Sequence, residues 1–301
     1  MASALALGVD LGGLYMRAVV IDRSVGRVVA SVNQAHDDKS PQAVVKALAQ
    51  LMNKVSKQAG AETPLPCAVG AAGQMHGNDI VVSPTLGWRN VPLGDLLGRE
   101  LGRPVKVVND TKAAAWGELK VGAARGESHT YTVLVGAGIG SAIISDGKLI
   151  AGAGGVAGEL GHIKVLAEGG RACGCGEKGC LEAYAGGSNI ELLMKEVGLK
   201  GSASNLEEQA HSGNAEAKKL WEFSSSALAL AIANVVTVLN PGFVVLGGGV
   251  MTRSPRLVQR VIDTIGERTL AVSRSGLKVA LAAHGDDSGA VGAALLGAEG
   301  Y

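Results

Sequence analysis

Apolar residues along this chain fall in short runs closed by glycine or by an acid. Leu5 to Asp10 is one such run, and Met16 to Ile21 and Arg27 to Val32 follow at hairpin spacing, so the chain is predicted to open with a three-stranded meander. The period then changes from two to 3.6. Between Pro41 and Lys57 the residues Val44, Val45, Leu48, Leu51, Met52 and Val55 share one stripe, which predicts an amphipathic helix. A short strand is expected over Cys67–Gly70, a helix over Leu93–Leu101, and a buried strand over Val105–Val108 that ends at Asn109-Asp110. Asp110 is expected to N-cap a helix that starts at Thr111.

The pattern then restarts. Tyr131–Val135 and Ser141–Ser145 read as strands joined by the glycine loop Gly136-Ala137-Gly138-Ile139-Gly140, and Asp146-Gly147 reads as a hairpin turn into Lys148–Ile150. A long apolar helix is predicted over Ala215–Leu239 and a strand over Phe243–Leu246, closed by Gly247-Gly248-Gly249. A last strand follows over Leu277–Ala282 and a last helix over Ser288–Ala298. Two units that each open strand, glycine loop, strand are read as a diverged internal duplication.

Composition narrows this picture. The 301 residues suit two domains, and 47% hydrophobic against 18% charged residues leaves enough apolar surface for large cores. A formal net charge of +1 gives no sign of a nucleic-acid-binding face. No apolar run is read as reaching the roughly 20 residues of a membrane span, and the N-terminus has no basic n-region, so neither membrane nor leader is expected and the location is expected to be cytoplasmic. The 45 glycines gather in loops after apolar runs, where backbone N–H groups could approach an anion.

The duplicated α/β pattern points to the fold shared by actin, the heat-shock ATPases and the sugar kinases, with a nucleotide cleft expected between the halves. The chain is expected to switch domain near Trp116–Glu127. The expected boundaries are 1–118 plus 285–301 for a smaller domain, and 119–284 for a larger one carrying a zinc site and a dimerisation surface.

Four features carry candidate chemistry. In Gly8-Val9-Asp10-Leu11-Gly12-Gly13 a turn between strands can present amides to phosphate, while Asp10, itself an anion, suits Mg²⁺ or its water shell. The plainer reading is a tight hairpin with an acid in it. Asp110 at a strand's carboxyl end can take the proton of an attacking hydroxyl, or it can serve only as a cap. His162, Cys173, Cys175 and Cys180 fall within 19 residues and match the count and atom types of a closed structural zinc site, against the alternative of buried free thiols. Glu159, His162 and Glu182, fixed around that site, suit a polyol, because carboxylates accept hydrogen bonds from sugar hydroxyls.

Together these segments, with Leu86-Gly-Trp-Arg-Asn-Val-Pro-Leu93 and Val245-Leu-Gly-Gly-Gly249, resemble the ROK family of repressors, open reading frames and kinases over nearly the whole chain. The resemblance implies an ATP-dependent hexose kinase acting at the 6-hydroxyl, glucose first. Asp110 would be the base, and Asn109, Glu159, His162, Glu182 and Thr85 would bind the sugar. The loops Gly8–Tyr15 (with Gly8, Asp10, Gly12, Gly13 and Leu14) and Gly136–Ile143 (with Gly136, Ala137, Gly138 and Gly140) would hold the phosphates. Gly247, Gly248 and Gly249 would lie near the adenosine. ATP, Mg²⁺ and a structural Zn²⁺ held by His162, Cys173, Cys175 and Cys180 are the expected cofactors, and the expected assembly is a homodimer or homotetramer.

Three positions depart from the family pattern. Leu14 replaces the usual threonine of the first loop, Thr85 stands where an asparagine precedes the Gly-Trp, and Gly73-Gln-Met-His-Gly77 replaces a Pro-Gly. The last is similar to a stretch of pentulose kinases and is read as coincidence. Leu14 keeps open a sugar-sensing protein of weak activity, or a polyphosphate donor; mannose, fructose and N-acetylhexosamines stay open as acceptors. A repressor would carry a DNA-binding module ahead of the first loop, and only seven residues precede Gly8.

Overall fold

The computed structural model describes residues 4–61, 64–166 and 168–299. The chain divides into two compact units. One runs to Gly126 and takes in Lys148–Ala157 and the chain from Asp286 onward; the other comprises Glu127–Gly147 and Gly158–Gly285. Met1–Ser3, on which the expected absence of a leader partly rests, lie outside the described residues.

The first unit begins with the predicted meander, β1 (Leu5–Leu11), β2 (Tyr15–Asp22) and β3 (Arg27–Ala35), each antiparallel to the next. Helix α1 (Pro41–Gln58) buries Val44, Val45, Leu48, Leu51, Met52 and Val55, the stripe its 3.6 period dictates. β4 (Cys67–Ala71) is buried at every position and pairs parallel with β1, as a strand covered on both faces must be read. A small antiparallel sheet follows: β5 (Gln74–His76), β6 (Asp79–Ser83) and β7 (Trp88–Val91). Then come α2 (Leu93–Leu101), β8 (Lys106–Asn109), parallel to β4, and α3 (Asp110–Val121), giving the main sheet the order β3-β2-β1-β4-β8.

The C-terminal helix Ser288–Glu299 packs on α3, β1 and β4, and its small residues allow backbones to approach closely. A Cβ on Gly292 would overlap the Ala113 carbonyl oxygen, and one on Gly8 would overlap that of Ala290. Gly8 therefore lies inside β1 and is glycine for helix packing, which corrects its assignment to the phosphate loop. Glu118 is fully buried yet satisfied: its Oε1 accepts from Ser288 Oγ at 2.9 Å and its Oε2 from the Ala123 N–H at 2.8 Å.

Within the second unit β9 (Thr130–Val135) and β10 (Ile139–Ser145) form an antiparallel hairpin. Strand Phe243–Gly247 lies parallel beside β9, and Lys278–Leu281 parallel beside that. This repeats β2-β1-β4-β8, a hairpin followed by two parallel strands, and is the duplication read from the glycine loops. Asp146 and Gly147 both have positive φ, 50° and 70°, as a type I′ turn requires.

The helix Ala215–Leu239 corrects one expectation. It is long and apolar enough to cross a membrane by length and composition, although the chain was read as having no such run. Here it serves as a core helix, with Trp221, Leu228, Ile232 and Val236 buried and the amphipathic helix Pro255–Arg268 packed against it through Leu257, Val261 and Ile265.

Candidate active site

In the first unit β1 and β2 carry the chain into and out of the turn Gly12-Gly13-Leu14. The Gly12 N–H is used to close the turn on the Tyr15 carbonyl at 3.0 Å. The Gly13 and Leu14 amides have no acceptor among the described residues, so the turn leaves two donors that could meet an anion. Leu14 is 66% exposed and fills no core. Thr85 stands beside the turn: a Cβ on Gly13 would come within 2.9 Å of Thr85 Cβ, and the Thr85 carbonyl accepts from Lys39 Nζ at 2.9 Å.

Asp10, near the end of β1, sits among acids brought from distant parts of the chain. Burial, and then the charges of Asp110, Asp286 and Asp287, push its carboxyl from the ordinary 3.8 up to about 7, against the opposing pull of Arg17. Arg17 is itself paired with Asp287 at 3.0 Å. Asp286 and Asp287 lie just ahead of the C-terminal helix, some 270 residues from Arg17, and no local motif could have announced them. An excess of carboxylates over cations is the chemistry of a divalent-cation site, and Asp10 fits the Mg²⁺ role inferred for it.

A pH prediction follows from Asp10. An acid whose folded-state pKa is raised keeps its proton in the folded chain while the unfolded chain releases it, so this group's contribution to stability falls as pH rises from about 4 to about 7. Asp10→Asn, measured without divalent ions, is therefore expected to gain on wild type over that interval, by up to about 4 kcal/mol above pH 7. Denaturant midpoints at a series of pH values check it; a difference that does not move with pH contradicts it.

Asn109, not Asp110, caps α3: its Oδ1 accepts from the Lys112 N–H at 3.0 Å, and its Nδ2 donates to the Gly73 carbonyl at 3.1 Å. Either residue type makes a cap, so the sequence left a one-residue choice that backbone geometry decides. Asp110 is the first residue of the helix. Its Oδ1 accepts from the Thr111 N–H at 2.7 Å, and burial raises its carboxyl above the usual range. Its Oδ2 receives no hydrogen bond from another described residue. Gly73–Gly77, with no role assigned from sequence, holds Asn109 through that Gly73 carbonyl.

In the second unit the loop Gly136–Gly140 is tied down by its neighbours. The Gly187 and Ser188 N–H groups, at the start of helix Gly187–Glu196, donate to the Gly136 and Ala137 carbonyls at 2.9 Å each. Glu182 Oε2 accepts from the Ile139 N–H at 2.7 Å, and the missing side chain of Gly138 makes the room for it. Glu182 was read from sequence only as a sugar ligand; its bond to the glycine loop was missed, and no spacing rule would have found it. Gly248, at φ 84°, packs on the Val135 backbone, so Gly247-Gly248-Gly249 adjoins this loop's first strand.

The short helical turn Leu160–His162 places Glu159 and His162 together, with His162 Nε2 3.6 Å from Glu159 Oε2. The other ring nitrogen, Nδ1, lies 3.7 Å from Cys173 Sγ, and Cys175 Sγ lies 3.8 Å from Cys180 Sγ. All four ligand atoms fall within 4.8 Å of one another. A tetrahedral ion with bonds of about 2.3 Å sets its ligand atoms about 3.8 Å apart, so these residues fit zinc. Burial pushes the Cys173 thiol up to about 12, and a cation held among these side chains would favour its thiolate. Lys164 Nζ, 3.2 Å from Cys180 Sγ, adds a positive charge beside the cluster.

A glucokinase of Thermotoga maritima is 29% identical over 96% of this chain and 96% of its own length. An N-acetyl-D-glucosamine kinase of Vibrio cholerae is 28% identical over 96% and 98%. The crystal structure of a ROK family glucokinase from Streptomyces griseus, in complex with glucose and AMPPNP, is 28% identical and covers 98% of this chain and 99% of that one with a TM-score of 0.84. The ROK family model matches residues 6–299, and the chain belongs to the ROK family.

Proposed function

We propose that this protein is a hexose kinase that transfers the terminal phosphoryl group of ATP to the 6-hydroxyl of glucose. The observation that carries the reading is Asp110, a recessed carboxylate at the head of α3 with one oxygen engaged and one free. In its charged form the free oxygen can accept the hydroxyl proton as the phosphoryl group arrives. The first unit would contribute Asp10, the Gly13 and Leu14 amides and Asp110; the second carries Glu159, His162 and the glycine loop. Asn109, beside Asp110, would hold the sugar in the first unit, and Glu159, beside His162, is the sugar ligand the family resemblance implies for the second. The free amides of the first turn would hold the donor's phosphates, and Asp10 would hold Mg²⁺, which when bound neutralises charge on those phosphates. Zn²⁺ in the His162, Cys173, Cys175 and Cys180 cluster would be structural, since four protein ligands leave no place for a reacting water.

ADP release measured over a panel of hexoses tests the proposal. Turnover with glucose is expected to exceed that with mannose or fructose, and no release with any hexose would sink it. The Vibrio cholerae relative favours a second reading, in which an N-acetylated hexosamine is the acceptor; the same panel distinguishes them. The reading places the enzyme in the cytoplasm as a homodimer or homotetramer. Val238 and Val272 on the second unit, four-fifths exposed, are where a partner surface would cover apolar groups.

Leu14 supplies a further prediction. Its side chain is free to solvent, so Leu14→Thr costs no packing and adds a hydroxyl at the phosphate turn. kcat/KM for ATP is expected to rise, about tenfold for a hydrogen bond to a charged group, with sugar affinity little changed. A threonine variant slower with ATP but not with polyphosphate would instead show that the turn is tuned to polyphosphate.

A further inference from the structure

One residue restrains the phosphate turn of the first unit from beneath. His36 follows β3 and is 8% exposed. Its ring Nε2 lies 2.9 Å from the Gly12 carbonyl oxygen, and its backbone N–H donates to the Leu14 carbonyl at 3.1 Å. A carbonyl oxygen only accepts, so Nε2 carries the proton in this contact. The other ring nitrogen, Nδ1, is buried with no hydrogen-bond partner among the described residues.

The two contacts bracket the turn. A trans peptide points its C=O and N–H in opposite directions, so holding the Gly12 oxygen toward His36 turns the Gly13 N–H away from it. That N–H is one of the two unpaired donors of the turn. Nothing in the turn itself can fix this peptide plane. Gly12 and Gly13 have no side chains and are the residues freest to rotate, and Leu14 points into solvent. The Gly12 N–H, already on Tyr15, fixes only the preceding peptide.

We propose that His36 is a positioning residue for the donor: it locks the Gly12–Gly13 peptide so that the Gly13 N–H faces the phosphates of ATP. This rests on the kinase reading, in which the turn binds those phosphates. Without the imidazole, the peptide would sample other orientations, and binding would have to order it each time.

The test is ATP titrated in the absence of sugar into wild type and variants, with thermal midpoints to show each is folded. His36→Leu keeps the volume and loses the donor; its ATP affinity is expected to fall about three- to tenfold. His36→Gln places an amide N–H near the position of Nε2 and is expected to recover most of that loss. The KM for the sugar should be the same in all three, which a general loss of structure would not allow. Should His36→Leu fail to fold, His36→Asn, whose amide is too short to reach Gly12, is expected to show the same weakening. The proposal is overturned if His36→Leu or His36→Asn binds ATP as wild type does, or if His36→Gln is as weak as His36→Leu. A folded wild type that binds no ATP overturns the kinase reading itself and this proposal with it.

Discussion

Replacing Asp110 by Asn is expected to lower kcat about 10²–10⁴-fold while leaving sugar affinity almost unchanged, because a base is needed only as the hydroxyl proton leaves. The structure makes this substitution clean. The cap of α3 is Asn109, so the helix start survives. An asparagine Oδ1 can still accept from the Thr111 N–H that now meets Asp110 Oδ1. A second readout separates loss of a base from loss of structure. Asp110 is one of the charges that raise the Asp10 carboxyl, so in the variant Asp10 should ionise at lower pH. Wild-type kcat in Asp110→Asn would reduce the residue to part of the helix terminus.

The second large effect belongs to the metal cluster. One zinc per chain is expected in purified protein, and Cys175→Ser is expected to lose it, with a fall in thermal midpoint on the order of 10 °C. The loss should reach the substrates by two routes. His162 would be a metal ligand and is the neighbour of Glu159, so the sugar KM should rise. Cys180 stands two residues before Glu182, which holds the Ile139 N–H of the second glycine loop, so the KM for ATP should rise too. Protein that is free of metal and fully active would contradict the zinc assignment.

How far the sequence could be read depended on whether a feature was local. The meander, the α1 stripe and both ends of α2 were legible because period and turn chemistry decide them within a few residues. The grouping of His162 with Cys173, Cys175 and Cys180 was legible because one short loop carries all three cysteines. Strands β5–β7 were not read, since runs of three to five residues carry too little alternation. Gly8 was assigned to phosphate because a glycine beside a glycine turn invites that, while its true neighbour, Ala290, is contributed by the other end of the chain. Asp286, Asp287 and His36 were missed for the same reason: the two acids face Asp10 and the histidine meets the Gly12 carbonyl from a distance in sequence, with no motif around them. The bond of Glu182 to the Ile139 N–H was not legible, because the fold alone decides it.

The most direct test of the central claim is the identity of the product. Phosphorus NMR of wild-type enzyme with ATP, Mg²⁺ and glucose should show ADP and glucose 6-phosphate appearing in equal amounts, and both about 10²–10⁴-fold more slowly with Asp110→Asn. ADP without sugar phosphate, or phosphate on any hydroxyl other than the sixth, would contradict the account.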